Sequence, residues 1–125
     1  MSGPDDLRAL ALARPEAYED THRGKPAFRV NKRIFAMLNV DRPGAGDGFF
    51  APLSGARPVV GMKFDREDQL NMIEAFPEAL GQAEQYGHHG WTYVWLDAID
   101  RDDLALLVRL AWTHVAPKRL SARGA

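Results

Sequence analysis

The sequence predicts an α+β fold in two layers, an antiparallel β-sheet packed against helices, and three observations predict it. Short apolar or alternating runs, "AFRV", "IFAML", "PVVGMKF" and "GWTYVWL", read as strands. Near the end of the chain Leu104, Leu107, Val108, Ala111, Trp112 and Val115 form a broad stripe at helical spacing. The element order is helix, strand, strand, strand, helix, strand, helix, which suits one sheet with its helices packed on it. A chain of 125 residues is long enough for one domain with a real apolar core and too short for two, so residues 1–125 are expected to form a single domain.

Each element has a local cause. "SGPDDLRALALAR" opens as a helix: Ser2 or Gly3 caps it, Pro4 suits the first turn, and Asp5 and Asp6 complement the positive end of the helix dipole. Pro15 restricts its predecessor and should end that helix near Arg14. "PEAYEDTHRGKP" reads as an irregular connection punctuated by Gly24 and Pro26. In "AFRVNKRIFAMLNV" Phe28 and Val30 alternate with Arg29, and Ile34 to Leu38 is nearly continuous apolar sequence. Two strands joined by an Asn31-Lys32 turn follow, since Asn tolerates positive φ. "DRPGAGDGFFAPLSGARP" is expected to be a long exposed connection.

"PVVGMKF" supplies a third strand, after which Asp65 and Asp68 resemble a capping box ahead of "REDQLNMIEAF". Leu70, Ile73 and Phe76 should form that helix's inward face. After Pro77 the pattern is ambiguous until "GWTYVWL", a strand with both faces substantially covered. Asp100 is placed to cap the last helix, Pro117 to stop it, and the basic tail from Lys118 to Arg123 to fray.

Composition removes several chemistries. Hydrophobic residues at 46% and charged residues at 26% are ordinary globular usage and argue against wholesale disorder. With no cysteine there is no disulfide framework, thiolate nucleophile or Cys-based metal site. No secretory signal and no membrane-length apolar run is present, so the protein is expected to be soluble and cytoplasmic. A formal net charge of -1 means that any surface for nucleic acid must arise from local segregation of charge.

That segregation exists in "HRGKPAFRVNKR", which holds Arg23, Lys25, Arg29, Lys32 and Arg33 and no carboxylate. Projecting from a hairpin and joined by Lys63 on a neighbouring strand, these cations would meet phosphates. The bland reading is that cations on the wet face of a half-buried sheet are normal and discourage edge-to-edge aggregation. The acidic stretch from Asp65 to Glu84 would oppose binding if it shared the face. Of the tryptophans, Trp95 and Trp112 lie in apolar patterns and read as core, whereas Trp91 beside "GHHG" is a candidate surface aromatic able to stack on a base.

Other constellations are weaker. "GAGDG" misses the phosphate-loop and dinucleotide spacings and reads as a flexible connection. His88 and His89 are adjacent, which on a strand would point them to opposite faces, and His22 and His114 lie elsewhere, so no metal site is expected. Ser54 in "LSGAR" is not a nucleophile elbow. Glu16, Glu19, Asp20 and His22 could supply acid and base groups only if the first loop lined a pocket, and a solvated loop is the simpler reading.

"RPEAYEDTHRGKPAFRVNKRIFAML", "MKFDREDQL", "GWTYVWL" and "LAWTHVAPKRL" together resemble, in order and spacing over nearly the whole chain, the MmcQ/YjbR family of small bacterial proteins. The resemblance implies an α+β fold similar to the double-winged C-terminal domain of the phage transcription factor MotA and frataxin-like in outline. It also implies a DNA-binding label that rests on fold, which does not establish function. The family's phenylalanine-led strand matches Phe28, Arg29 and Val30, and its Lys-x-Phe-Ala matches Arg33, Phe35 and Ala36, with arginine in place of lysine. The family lysine before the central helix matches Lys63, and its Gly-Trp matches Gly90 and Trp91. Asn31-Lys32 replaces a frequent glycine pair, and Ala111 stands where serine is common, so no role of that serine transfers.

The expectation is a non-catalytic monomer without cofactor or metal that binds nucleic acid through Arg29, Lys32, Arg33 and Lys63, with Trp91 stacking. The alternative is a module for a small molecule or a protein, using a groove between the sheet and the loop Tyr18 to Gly24.

Overall fold

The computed structural model describes residues 2–22, 24–39, 58–83 and 87–120. The element order is α1 (Pro4–Leu12), β1 (Tyr18–His22), β2 (Lys25–Val30), β3 (Arg33–Asn39), β4 (Val59–Lys63), α2 (Arg66–Ala75), β5 (Leu80–Gln82), β6 (Trp91–Trp95) and α3 (Arg101–Val115). Short 3-10 turns, Gly87–His89 and Leu96–Ala98, flank β6. The strands form one sheet in the order β1-β2-β3-β4-β6-β5, with every neighbouring pair antiparallel. The predicted α+β class is the one observed.

Helices cover one face. Phe28, Val30, Ala36, Leu38, Val60, Met62 and Val94 from the sheet meet Leu7, Leu104, Leu107, Val108, Ala111 and Trp112 from α1 and α3 in the main core. Alternation along a strand sends the intervening residues to the opposite, outer face. There Ala27, Met37 and Val59 form a second cluster with Ile34, Tyr93 and Trp95 packed against it. The pairing of β2 with β3 shifts register, from Phe28 opposite Ala36 to Arg29 opposite Ile34, leaving Phe35 as the extra residue of a bulge. Consecutive Phe35 and Ala36 therefore both join the main core, while Ile34 and Met37 face outward.

Several expectations need correction. The stretch read as an irregular connection holds β1, in register from Tyr18 opposite Arg29 to His22 opposite Lys25. Its side chains are exposed except for half-buried His22, so backbone pairing forms this strand and no apolar pattern announces it. The groove expected beside a Tyr18 to Gly24 loop is thus replaced by an edge strand. The ambiguous stretch after Pro77 contains β5. In α2 the inward position is Gln69, fully buried, with Met72, Ile73 and Phe76 beside it, whereas Leu70 is 46% exposed.

Caps agree in outline. Gly3 is the N-cap of α1, and its N–H donates to Asp6 Oδ2 at 2.9 Å. Arg101 reaches the other oxygen of Asp6 and ties the start of α3 to α1. These contacts hold the Asp6 carboxyl below its ordinary range, the Gly3 N–H first and Arg101 next. Asp65 accepts from the Glu67 N–H at 3.2 Å, and Asp100 occupies the N-cap of α3 without a side-chain bond. The start of the basic tail is anchored, with Leu120 buried and Arg119 paired with Glu16 at 3.2 Å. Residues 40–57, with "GAGDG" and Ser54, lie outside the described residues, as does Arg23.

Candidate nucleic-acid interface

Sheet topology carries the predicted cations to one end. Val30 pairs with Arg33 across the β2–β3 turn, which puts Lys32 and Arg33 at the hairpin tip. β3 and β4 run antiparallel with Ala36 opposite Met62, so the start of β3 and the end of β4 coincide. Lys63 ends β4 and faces Trp91, the first residue of β6. Lys32, Arg33, Lys63 and Trp91 therefore share one end of the molecule.

The turn has the backbone expected of a two-residue hairpin, with φ 51° at Asn31 and 68° at Lys32. Asn adopts this region readily, but Lys does so at a cost of about 1 kcal/mol. Among the described residues Lys32, Arg33 and Lys63 make no ion pair, whereas Arg8 pairs with Glu19, Arg29 with Asp20, Arg101 with Asp6 and Arg119 with Glu16.

Arg29 is placed differently from its companions. Its Nε donates to Asp20 Oδ2 at 3.1 Å and its NH1 donates to the Lys32 carbonyl at 2.9 Å. The side chain lies on the outer face and is only 19% exposed. Arg29 braces the hairpin from behind and has its charge balanced by Asp20. Lys25, another member of the basic segment, is buried.

His114, near the C-terminus of α3, reports on the same end. Burial lowers its proton affinity below the ordinary value, and the charge of Lys63 lowers it further. Arg33 acts in the same direction, while Asp65 and Asp68 oppose. The imidazole thus feels both strand-end cations and the acids at the start of α2.

Trp91 is held by a buried polar network. Gln69 Nε2 donates to the Gly87 carbonyl at 2.9 Å and to the Trp91 carbonyl at 3.1 Å, and its Oε1 accepts from Arg66 at 2.6 Å. Gly90, at φ 96°, lies so close to the Phe64 carbonyl that a β-carbon there would collide with it. His88 and His89 lie on the 3-10 turn before Trp91, exposed and with ring centroids 4.0 Å apart. Among the described residues no group of three or more His, Cys, Asp or Glu side chains could hold a metal ion.

The readings of the other tryptophans divide. Trp112 is core, fully buried, with its Nε1 donating to the Pro15 carbonyl at 3.1 Å and the Arg14 guanidinium 4.9 Å from its ring centroid. Trp95 lies on the outer face beside Tyr93 and outside the main core. Sequence reasoning gave Gln69 no role, set His114 aside as an isolated histidine and took Tyr93 only as part of a strand's alternation. Only Tyr93 had a visible signal, the strict alternation of aromatic residues in "WTYVW".

The fold and the ordered motifs converge on one relationship. The YjbR family model matches residues 12–114 of the chain. The chain belongs to the YjbR family. The fold of this YjbR protein is similar to that of a Deinococcus radiodurans protein with a DUF419 domain, the same family. That likeness has a TM-score of 0.71 at 19% identity and covers 99% of this chain and 86% of the other. A Pseudomonas syringae protein gives a TM-score of 0.64 at 14% identity, over 87% of this chain and 95% of the other. At these identities the likeness is one of fold. No curated protein matches the chain. Among the described residues no helix is long and apolar enough to cross a membrane.

Proposed function

We propose that this YjbR protein is a non-catalytic protein that binds nucleic acid weakly, and with little sequence preference, through phosphates held at the hairpin end. The observation that carries the reading is the placement of Lys32, Arg33 and Lys63 at one end of the sheet, where among the described residues they make no ion pair, whereas Arg8, Arg29, Arg101 and Arg119 are each matched to a carboxylate. An unmatched cluster of this kind attracts phosphate and releases counterions on contact. The left-handed Lys32 adds support, because backbone strain kept at an exposed tip is a pointer to function. Asp65 and Asp68 oppose the attraction and keep it weak. Arg29 serves as the brace that sets the hairpin. The reading needs no cofactor and no second copy, since one chain supplies every cation.

Fluorescence anisotropy with a short random duplex at several salt concentrations tests it. Three neutralised phosphates give a slope of log K against log salt of about -2.7. Replacing Lys32, Arg33 and Lys63 together with Ala should remove most of that slope and leave the thermal melt in place. Absence of binding at low salt, or an unchanged slope in the triple variant, would overturn the proposal.

A further inference from the structure

The last turn of α3 carries a group that phosphate binding by lysine and arginine leaves unused, His114. Topology brings it to the hairpin end. β6 runs from Trp91, opposite Lys63, to Trp95, opposite Val59, and the Leu96 N–H then donates to the Pro58 carbonyl at 3.1 Å. α3 therefore starts near the beginning of β4, and it packs back across β3 and β4. Its fifteen residues reach about 22 Å, farther than the roughly 17 Å of the five-residue β4. The last turn thus lies over the end of the sheet where β4 finishes at Lys63 and β3 begins at Arg33. Arg33 is turned toward it, because its register partner Val30 belongs to the main core beneath α3.

The charges that face His114 come from three elements. β3 supplies Arg33, β4 supplies Lys63, and the start of α2 supplies Asp65 and Asp68. On α3 itself the neighbours one turn back are Leu110 and Ala111, which carry no charge. From α1, Arg14 lies over Trp112, about 200° round the helix from His114. Although the residue as a whole is exposed, burial of part of the ring lowers its proton affinity, and Lys63 and Arg33 lower it further. Asp65, Asp68 and the carbonyls at the C-terminus of α3 pull the other way. A phosphate resting on Arg33 and Lys63 would neutralise the two charges that repel the proton.

We infer that His114 is a further phosphate contact of the hairpin end, joining Arg33 on the helix side when it takes up a proton, so that nucleic acid binds more tightly as pH falls. The inference rests on the proposed phosphate binding and adds proton dependence to it. Linkage fixes the sign: if bound phosphate strengthens proton binding, the proton strengthens phosphate binding by the same factor. Lysine and arginine stay charged throughout the range in which histidine titrates, so binding in mild alkali belongs to Lys32, Arg33 and Lys63.

The test measures affinity for a short random duplex by anisotropy at about pH 8 and about pH 5.5, in about 100 mM salt. Affinity should rise about 2- to 10-fold at the lower pH, the gain from moving one titration midpoint up by as much as about one pH unit. The slope of log K against log salt should steepen by about 0.9, the share of one phosphate contact. His114→Gln should abolish both changes, whereas the double variant His88→Gln, His89→Gln should keep them. In the unaltered protein the Hε1 resonance of His114 should titrate at higher pH with duplex than without, which a merely structural histidine would not do. Binding in alkali with no gain in acid, a gain that survives in His114→Gln, or an unmoved titration of His114 would overturn the inference and leave the phosphate reading standing. Absence of binding at either pH would overturn both. The resonance is read on the unaltered protein, so it decides the matter even if His114→Gln does not fold.

Discussion

Replacing Gly90 with Ala puts the junction that presents Trp91 under direct strain. Gly90 adopts φ 96°, and the new methyl group would fall on the Phe64 carbonyl oxygen, a backbone atom that cannot rotate away. The left-handed region costs an L-residue about 1–2 kcal/mol. Moving the strands apart would also break the bonds from the Phe64 N–H to the Gly90 carbonyl and from the Gly90 N–H to the Gly87 carbonyl, each 3.0 Å long. At about 1 kcal/mol for each bond, the total loss is about 3–4 kcal/mol, a large share of the roughly 5–15 kcal/mol that holds a domain together. For a chain of this length that lowers Tm by roughly 10–20 °C.

Urea denaturation with a thermal melt measures the loss directly. Gly90→Asn separates the two causes, because Asn tolerates positive φ but carries the same β-carbon. Gly90→Ala should lose the full amount, and Gly90→Asn about 1–2 kcal/mol less. A loss below about 1 kcal/mol in Gly90→Ala would refute the reasoning, since even the backbone conformation alone exceeds that figure. Recovery of most stability by Asn would refute the collision and leave only the conformational cost.

Other perturbations probe the same end of the molecule. Gln69→Met keeps the side-chain volume and removes the bonds to Gly87, Trp91 and Arg66, which should cost about 2–3 kcal/mol in urea denaturation. Greater loss is not expected, because the Gly87 and Trp91 carbonyls keep the Gly90 and Ala83 N–H donors. Lys32→Gly relieves the positive φ at the hairpin tip, so it should raise stability by about 0.5–1 kcal/mol in thermal melts while weakening nucleic-acid binding. For His114 the folded proton affinity is depressed, so the unfolded chain takes up a proton that the folded chain refuses. Its contribution to stability is complete above about pH 6.5 and is lost as pH falls through the lower folded value. His114→Gln should therefore flatten the pH dependence of stability below about pH 6.5, as read by urea midpoints across that range.

The sequence by itself determined the elements whose causes are local. The α3 stripe, the apolar runs of β2, β3, β4 and β6, and the Asn31-Lys32 turn each announce themselves within a few residues, because side-chain periodicity and turn chemistry act over that range. The ordered motifs were legible separately, as a resemblance to the YjbR family, and the concentration of cations between Arg23 and Arg33 directly from composition. Tertiary structure alone decided the rest. β1 is a strand because the edge of β2 offers backbone partners to "YEDTH", and no side-chain pattern encodes that offer. Gln69 takes the inward place that helical spacing assigned to Leu70 because the Gly87 and Trp91 carbonyls, distant from it in sequence, converge on it. Arg29 and Arg33 look equivalent in sequence, yet one is neutralised by Asp20 and the other acts with Lys63 on His114. Charge balance and stacking depend on which strands become neighbours, and that neighbourhood comes into being only when the whole sheet is assembled.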